Sequence, residues 1–292
     1  MPVPTTLVGT TLDAMTHNID ARWTMAYAAT LGDVGADFFD TTRPEGVVAH
    51  PMFAVCPEWP VIVSGRDHSD RWGITADETR RSVHATHDLT VHRLIRPGDL
   101  LTTTARYTGV EQRSPGAFVT TRLESRDAAG DLVATTEQGA LYLGVATDGD
   151  DRPVESPCDP VVLTDVGSPT DEIRIDIAHG AAHTYTECAR IWNPIHTDES
   201  IARAAGLGGI ILHGTATMAL AVSRVIDVCA DGDPTRVRRI IGRFGAQVRM
   251  PSRITVRLRK LQTLSDGGHA IPYDVLTAGG GNAIDRGVVV ID

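Results

Sequence analysis

Between Arg253 and Leu258 the chain alternates: Arg253, Thr255 and Arg257 are polar, while Ile254, Val256 and Leu258 are apolar. A period of two predicts a β-strand with one dry and one wet face, the mark of an antiparallel sheet. Elsewhere the period changes. Trp23, Tyr27 and Leu31 recur every four residues and predict one face of a helix in "IDARWTMAYAATLG". From His213 to about Cys229, Met218, Leu220, Ala221, Val222, Val225, Ile226 and Val228 leave little polar face. A helix that is apolar nearly all round is buried in a core. "DAAGD", Asp127 to Asp131, reads as a hairpin turn with Gly130 free to take positive φ.

The order of these features repeats. The acidic, Pro-bearing stretch "TDGDDRPVESPCDP" lacks an apolar period and separates two strand-like runs, so it reads as a linker. On each side stands a short helical stretch: "IDARWTMAYAATLG" in the first half, "GAAHTYTECAR" in the second. Each half then has a His opening an apolar run ("GVVAHPMFAVC", "GIILHGTATMALAVSRVIDVC"), and each continues into alternating strands. A duplicated unit is the economical reading: residues 1–146, a linker over 147–165, and residues 166–292. Each unit is expected to wrap a strongly curved antiparallel sheet around one long helix.

The composition of the 292 residues, 42% hydrophobic and 22% charged, is that of an ordinary globular protein. No run approaches the roughly 18 apolar residues of a membrane span. The N-terminus lacks the basic and apolar regions of a secretory signal. Cys56, Cys158, Cys188 and Cys229 show no CxxC spacing, so neither zinc nor a disulfide framework is expected, and a reducing cytoplasm fits. His84, His87 and His92 have no ligand-type spacing with carboxylates, and no metal site is expected. A net charge of −10 argues against nucleic acid. A local basic cluster, Arg249, Arg253, Arg257, Arg259 and Lys260, is a candidate for an anionic ligand.

The densest chemistry lies in "ARIWNPIHTDESIARAAGLGGIILHGTA". Asn193-Pro194-Ile195-His196 is a turn, because proline fixes φ and asparagine suits turns. Asp198 and Glu199 open a short helix that ends near Gly206. His196 therefore sits in a rigid turn and titrates near neutrality, as a general base should. Gly214 follows His213 at the head of the long helix. There free N–H groups can hold a developing oxyanion, and the lack of a side chain lets a carbonyl approach.

Asn-Pro-Ile-His, the five residues Thr197 to Ile201, Ala202, and then Ile211-Leu212-His213-Gly214 are similar to the signature of MaoC-like (R)-specific enoyl-CoA hydratases. The whole layout resembles a double hot-dog, an α+β fold. The resemblance implies a substrate-accommodating N-terminal half and a catalytic-type C-terminal half. It implies a hydro-lyase acting on an acyl-CoA or acyl-carrier thioester, with no cofactor besides, in fatty acid metabolism, and a homodimer of double units. His196, Asn193 and Gly214 carry over as catalytic positions. Ile191, Trp192, His213, Thr215 and Tyr185 are expected to contact substrate, and Arg253 and Arg257 to meet CoA phosphates.

One position departs. The family pattern Ser-Gly-Asp-x-Asn-Pro meets Ala189-Arg190-Ile191-Trp192-Asn193-Pro194, so Ile191 stands where the catalytic Asp belongs. Isoleucine neither donates nor accepts a proton. Asp198 and Glu187 are the nearby substitutes, with Asp198 placed in the catalytic set. The first half is complementary: Gly32-Asp33 keeps the Asp, Phe38 falls where His would, and Pro51 after His50 removes an N–H. A composite Asp33/His196 site is the remaining arrangement. The alternative function is a divergent hot-dog that binds acyl thioesters, or that runs another thioester reaction such as a thioesterase or a different lyase.

Overall fold

The computed structural model describes residues 1–164 and 166–292. The first half contains β1 (Val3–Pro4), β2 (Thr11–Asn18), α1 (Ala21–Leu31), α2 (Ala36–Phe39), α3 (Val55–Asp67), α4 (Ala76–Arg80), β3 (Ser82–Val91), β4 (Leu100–Arg113), β5 (Gly116–Arg126), β6 (Leu132–Leu143) and β7 (Thr147–Asp148). The second contains β8 (Pro169–Ile177), α5 (Ala181–Ala189), α6 (Glu199–Ala204), α7 (Gly214–Cys229), β9 (Val237–Phe244), β10 (Ser252–Arg259), β11 (Gln262–Thr263), β12 (His269–Thr277) and β13 (Asn282–Ile291).

The expected duplication is visible in this order, and the hairpin at Asp127–Asp131 is present with Gly130 at φ 90°. The two sheets, however, are fused. The strand order β2-β4-β5-β6-β3-β9-β13-β12-β10-β8 runs through both halves without a break. The seam is the antiparallel pair β3–β9, from Thr86↔Arg243 to Thr90↔Arg239. An unpaired strand edge exposes a row of backbone donors and acceptors, and pairing the two inner edges satisfies both rows. Arg239 clamps the seam through a fork on Asp88, with Nε and a terminal nitrogen each 2.7 Å from a carboxylate oxygen.

The linker is less free than its composition implies. Arg152 forms a bridge with Val110, and Glu155 N–H donates to the Thr108 carbonyl, so this stretch runs along β4. The last residue of the predicted linker, Asp165, lies outside the described residues.

Each half holds one central helix. In α7, Met218, Val222, Val225 and Ile226 are buried, but Val228 is 48% exposed near the C-terminal end, so the apolar wrap is incomplete there. In α3, Gly65 faces the sheet. A Cβ on it would lie 2.7 Å from Leu12 and 3.0 Å from the Tyr107 hydroxyl. An adjoining stripe of α3 faces the second half. The stripe is Glu58, Ile62 and Arg66, spaced by four residues and so on one face. The paired helices α1 and α5 also meet, with the hydroxyls of Tyr27 and Tyr185 3.3 Å apart.

Candidate active site

His196 ends a short 3-10 turn, Pro194–His196, which Asn193 enters in extended conformation. Its Nδ1 lies 2.8 Å from the Ile211 carbonyl. A carbonyl can only accept, so Nδ1 carries the proton and Nε2 keeps its lone pair. Burial pulls the imidazole pKa down to about 4, with the nearby Arg66 guanidinium acting in the same direction, so the ring is neutral at pH 7. His213 stacks on it with ring centroids 3.7 Å apart. Burial likewise holds His213 well below the usual histidine range, and its Nε2 lies 3.2 Å from the Thr186 hydroxyl.

His213 caps α7, whose first residue is Gly214. The opening N–H groups of a helix have no intrahelical acceptor. A Cβ at Gly214 would stand 3.0 Å from the Phe244 ring, so glycine lets this helix end meet the ring at close range. Thr215 follows, and its hydroxyl accepts a hydrogen bond from Tyr185 at 3.1 Å. A cavity of about 410 Å³ brings Asn193, His196, His213, Gly214 and Thr215 together. Its opposite wall is α3, through Glu58, Trp59, Ile62 and Arg66. Val83 and Leu143 line it while remaining 43% and 42% exposed, which marks its mouth.

Several expected residues lie elsewhere. Ile191 lines the cavity and is buried, but Trp192 is 59% exposed and turned away. Trp192 sits at the centre of a three-residue turn, with the Asn193 N–H donating to the Ile191 carbonyl at 3.1 Å, and the flanking Ile191 and Asn193 line the cavity. Tyr185 stands behind the wall, contacting Thr215. Asp198 is the exposed N-cap of α6, accepting from the N–H groups of Ser200 at 2.8 Å and Ile201 at 3.1 Å. Glu187 is exposed on α5. Asp33 takes a 2.6 Å hydrogen bond from Ser223 and pairs with Arg224 at 3.3 Å, away from the cavity lining. The composite Asp33/His196 site therefore does not form.

Arg253 and Arg257 are also corrected. The sheet register sets Arg253 opposite Asp176 and Arg257 opposite Asp274, and each pair closes to 2.6 Å. Cross-strand pairing of opposite charges consumes both arginines on the outer face. Neither lines the cavity.

The carboxyl group that does line the cavity is Glu58, which sequence reasoning passed over. It is 1% exposed and accepts a 2.6 Å hydrogen bond from Thr136. Burial raises its pKa to about 8, so at pH 7 it is mainly a neutral acid. A signal existed: a lone carboxylate inside the apolar run "AVCPEWPVIV" has no structural reason to be there.

Residues 164–270 match the MaoC like domain, and residues 6–136 match the FAS1-like dehydratase domain region. The chain joins a FAS1-like dehydratase region to a MaoC-like dehydratase domain. Among curated relatives, a peroxisomal enoyl-CoA hydratase 2 of Arabidopsis thaliana is 43% identical over 53 residues, 18% of this chain and 17% of that protein. A fatty acid synthase subunit beta of Aspergillus oryzae is 38% identical over 99 residues, 33% of this chain and 4% of that protein. These matches therefore span only a small part of either relative. Across the full length, a MaoC-like dehydratase from Phytophthora capsici superposes with a TM-score of 0.79 at 19% identity, covering 98% of this chain and 96% of that one. The fold is the double hot-dog. The MaoC-like domain supplies His196 and Gly214, while Glu58 comes from the FAS1-like region. Among the described residues no helix is long and apolar enough to cross a membrane.

Proposed function

We propose that this protein hydrates the 2,3-double bond of an acyl thioester reversibly, with His196 as the base and Glu58 as the acid in place of the missing Asp. One observation carries the reading: a neutral histidine with a free Nε2, a neutral carboxyl group and the open end of α7 share one cavity. His196 Nε2 takes a proton from water as the oxygen bonds to C3. The π electrons move toward the thioester oxygen, and the N–H groups at Gly214 stabilise the enolate. C2 then takes the Glu58 proton, and the proton on His196 returns to the Glu58 carboxylate through solvent. Dehydration is the same path in reverse. The resemblance to an enoyl-CoA hydratase 2 supports this chemistry.

The test is crotonyl-CoA hydration, followed by loss of the enoyl absorbance. His196→Ala and Glu58→Gln are each expected to lose about 10²- to 10⁴-fold in kcat, the usual weight of one acid/base partner. A second reading, a chain that binds thioesters without hydrating them, is favoured by the buried Ile191 at the acid position. It is the correct reading if wild type binds crotonyl-CoA, turns none over, and gains hydration only on Ile191→Asp.

A further inference from the structure

Among the half-buried arginines, Arg66 is the odd one. Arg93, Arg122, Arg224, Arg239 and Arg257 each rest on a carboxylate, as do the remaining half-buried arginines. The Arg66 side chain has no ion pair and no hydrogen bond among the described residues. Its guanidinium lies only over the Trp59 ring, 5.3 Å from the centroid. The carboxylate acting on it is that of Asp67, the next residue, which is exposed to solvent.

The other titratable residues of the cavity sharpen the contrast. They are Glu58, His84, His196 and His213. Burial raises Glu58 to about 8 and lowers all three histidines, so each is mainly neutral at pH 7. Among the described residues, Arg66 is thus the one full charge on the lining of a chamber that is otherwise apolar or neutral. Its field reaches both His196 and His84, which puts the guanidinium within electrostatic range of the proposed base. Glu58 stands two helical turns away, about 12 Å along α3 at 1.5 Å per residue, so it does not serve as the counter-ion. A half-buried cation without a carboxylate partner has given up part of its hydration for no ion pair, and a ligand carboxylate would complete one.

We infer that Arg66 receives a carboxylate on the acyl group, so that the substrate is the half-thioester of an unsaturated dicarboxylic acid. Guanidinium suits this task because its planar fork matches a carboxylate in two parallel hydrogen bonds. Water would add at C3, on the side of the double bond that faces the distal carboxylate, and the product would be a hydroxylated dicarboxylic half-thioester. This inference rests on the thioester reading above. The carrier's phosphates are the other source of negative charge, and the test separates the two.

Isothermal titration with unreactive probes gives a readout that does not need turnover. Wild type is expected to bind succinyl-CoA at least about tenfold more tightly than butyryl-CoA, since one charge-assisted pair is worth roughly 1.5–3 kcal/mol and about 1.4 kcal/mol is tenfold. Arg66→Met is expected to erase that preference, and Arg66→Lys to keep part of it. In parallel, fumaryl-CoA is expected to exceed crotonyl-CoA in kcat/KM. Equal binding of the two probes by wild type overturns the inference. So does a variant that weakens succinyl-CoA, butyryl-CoA and free CoA alike, because Arg66 would then hold phosphates. If the binding preference holds while neither enoyl thioester is hydrated, the carboxylate site stands and the hydratase reading falls.

Discussion

Replacing Glu58 by Gln is expected to stabilise the protein at neutral and alkaline pH while removing its activity. Unfolded, a glutamate ionises near 4.5; folded, burial holds this one neutral up to about 8. Between those values the folded state binds the extra proton, so the contribution of Glu58 to stability is fully present below about pH 4.5 and falls as pH rises toward 8. Each unit costs ~1.4 kcal/mol, so ~4 kcal/mol is lost from pH 5 to pH 8 through this group alone. The glutamine amide keeps an oxygen to accept the Thr136 hydrogen bond but has no proton to lose. The assay is urea unfolding of wild type and Glu58→Gln at pH 5, 6, 7 and 8. The variant-minus-wild-type difference is expected to grow by ~4 kcal/mol across the series, or roughly 8–16 °C in Tm. Other titrating groups are common to both proteins and cancel. If the two curves run parallel, Glu58 ionises normally in the folded protein, and the neutral-acid role fails with it.

Other predictions test the rest of the structure. His87 is 1% exposed, has no hydrogen-bond partner on either ring nitrogen among the described residues, and is lowered to about 4 by burial. Its stability penalty therefore appears as pH falls below the unfolded value near 6.5, and His87→Met is expected to gain ~2 kcal/mol on wild type between pH 7 and pH 5, read by thermal melts. Gly287→Ala puts a methyl group 2.6 Å from the Tyr273 ring, which has little room to yield, so a loss of roughly 1–3 kcal/mol or more is expected in urea unfolding. Arg253→Gln breaks only an exposed pair with Asp176, so KM for a CoA thioester and Tm should both stay unchanged. A raised KM there would return the phosphate-binding role to the outer sheet face.

The sequence carried the C-terminal part of the site well, because its determinants are local. The Asn193–His196 turn and the His213–Gly214 start of α7 are each written in a few consecutive residues. Glu58 and Arg66 were hidden for the opposite reason. They share a cavity with His196 because β3 and β9 pair across the seam. Pro57 and Pro60 also interrupt the pattern that would have announced the Glu58–Arg66 stripe of α3. Trp192 was misplaced because it sits at the tip of a three-residue turn whose flanking residues, Ile191 and Asn193, line the cavity instead. Arg253 and Arg257 were misread because their acidic partners lie 77 and 17 residues away in sequence, visible only in the register.

The β3–β9 seam has a consequence for how the molecule can be divided. The proposed base lies on one side of it and the proposed acid on the other. Cut in the linker, the chain would yield one fragment with a nucleophile-activating group and one with a proton source. Mixed, the fragments would regain turnover only as fast as they associate. Activity would then rise with the product of their concentrations, and weakening the Arg239–Asp88 clasp would shift that curve without touching either reacting group.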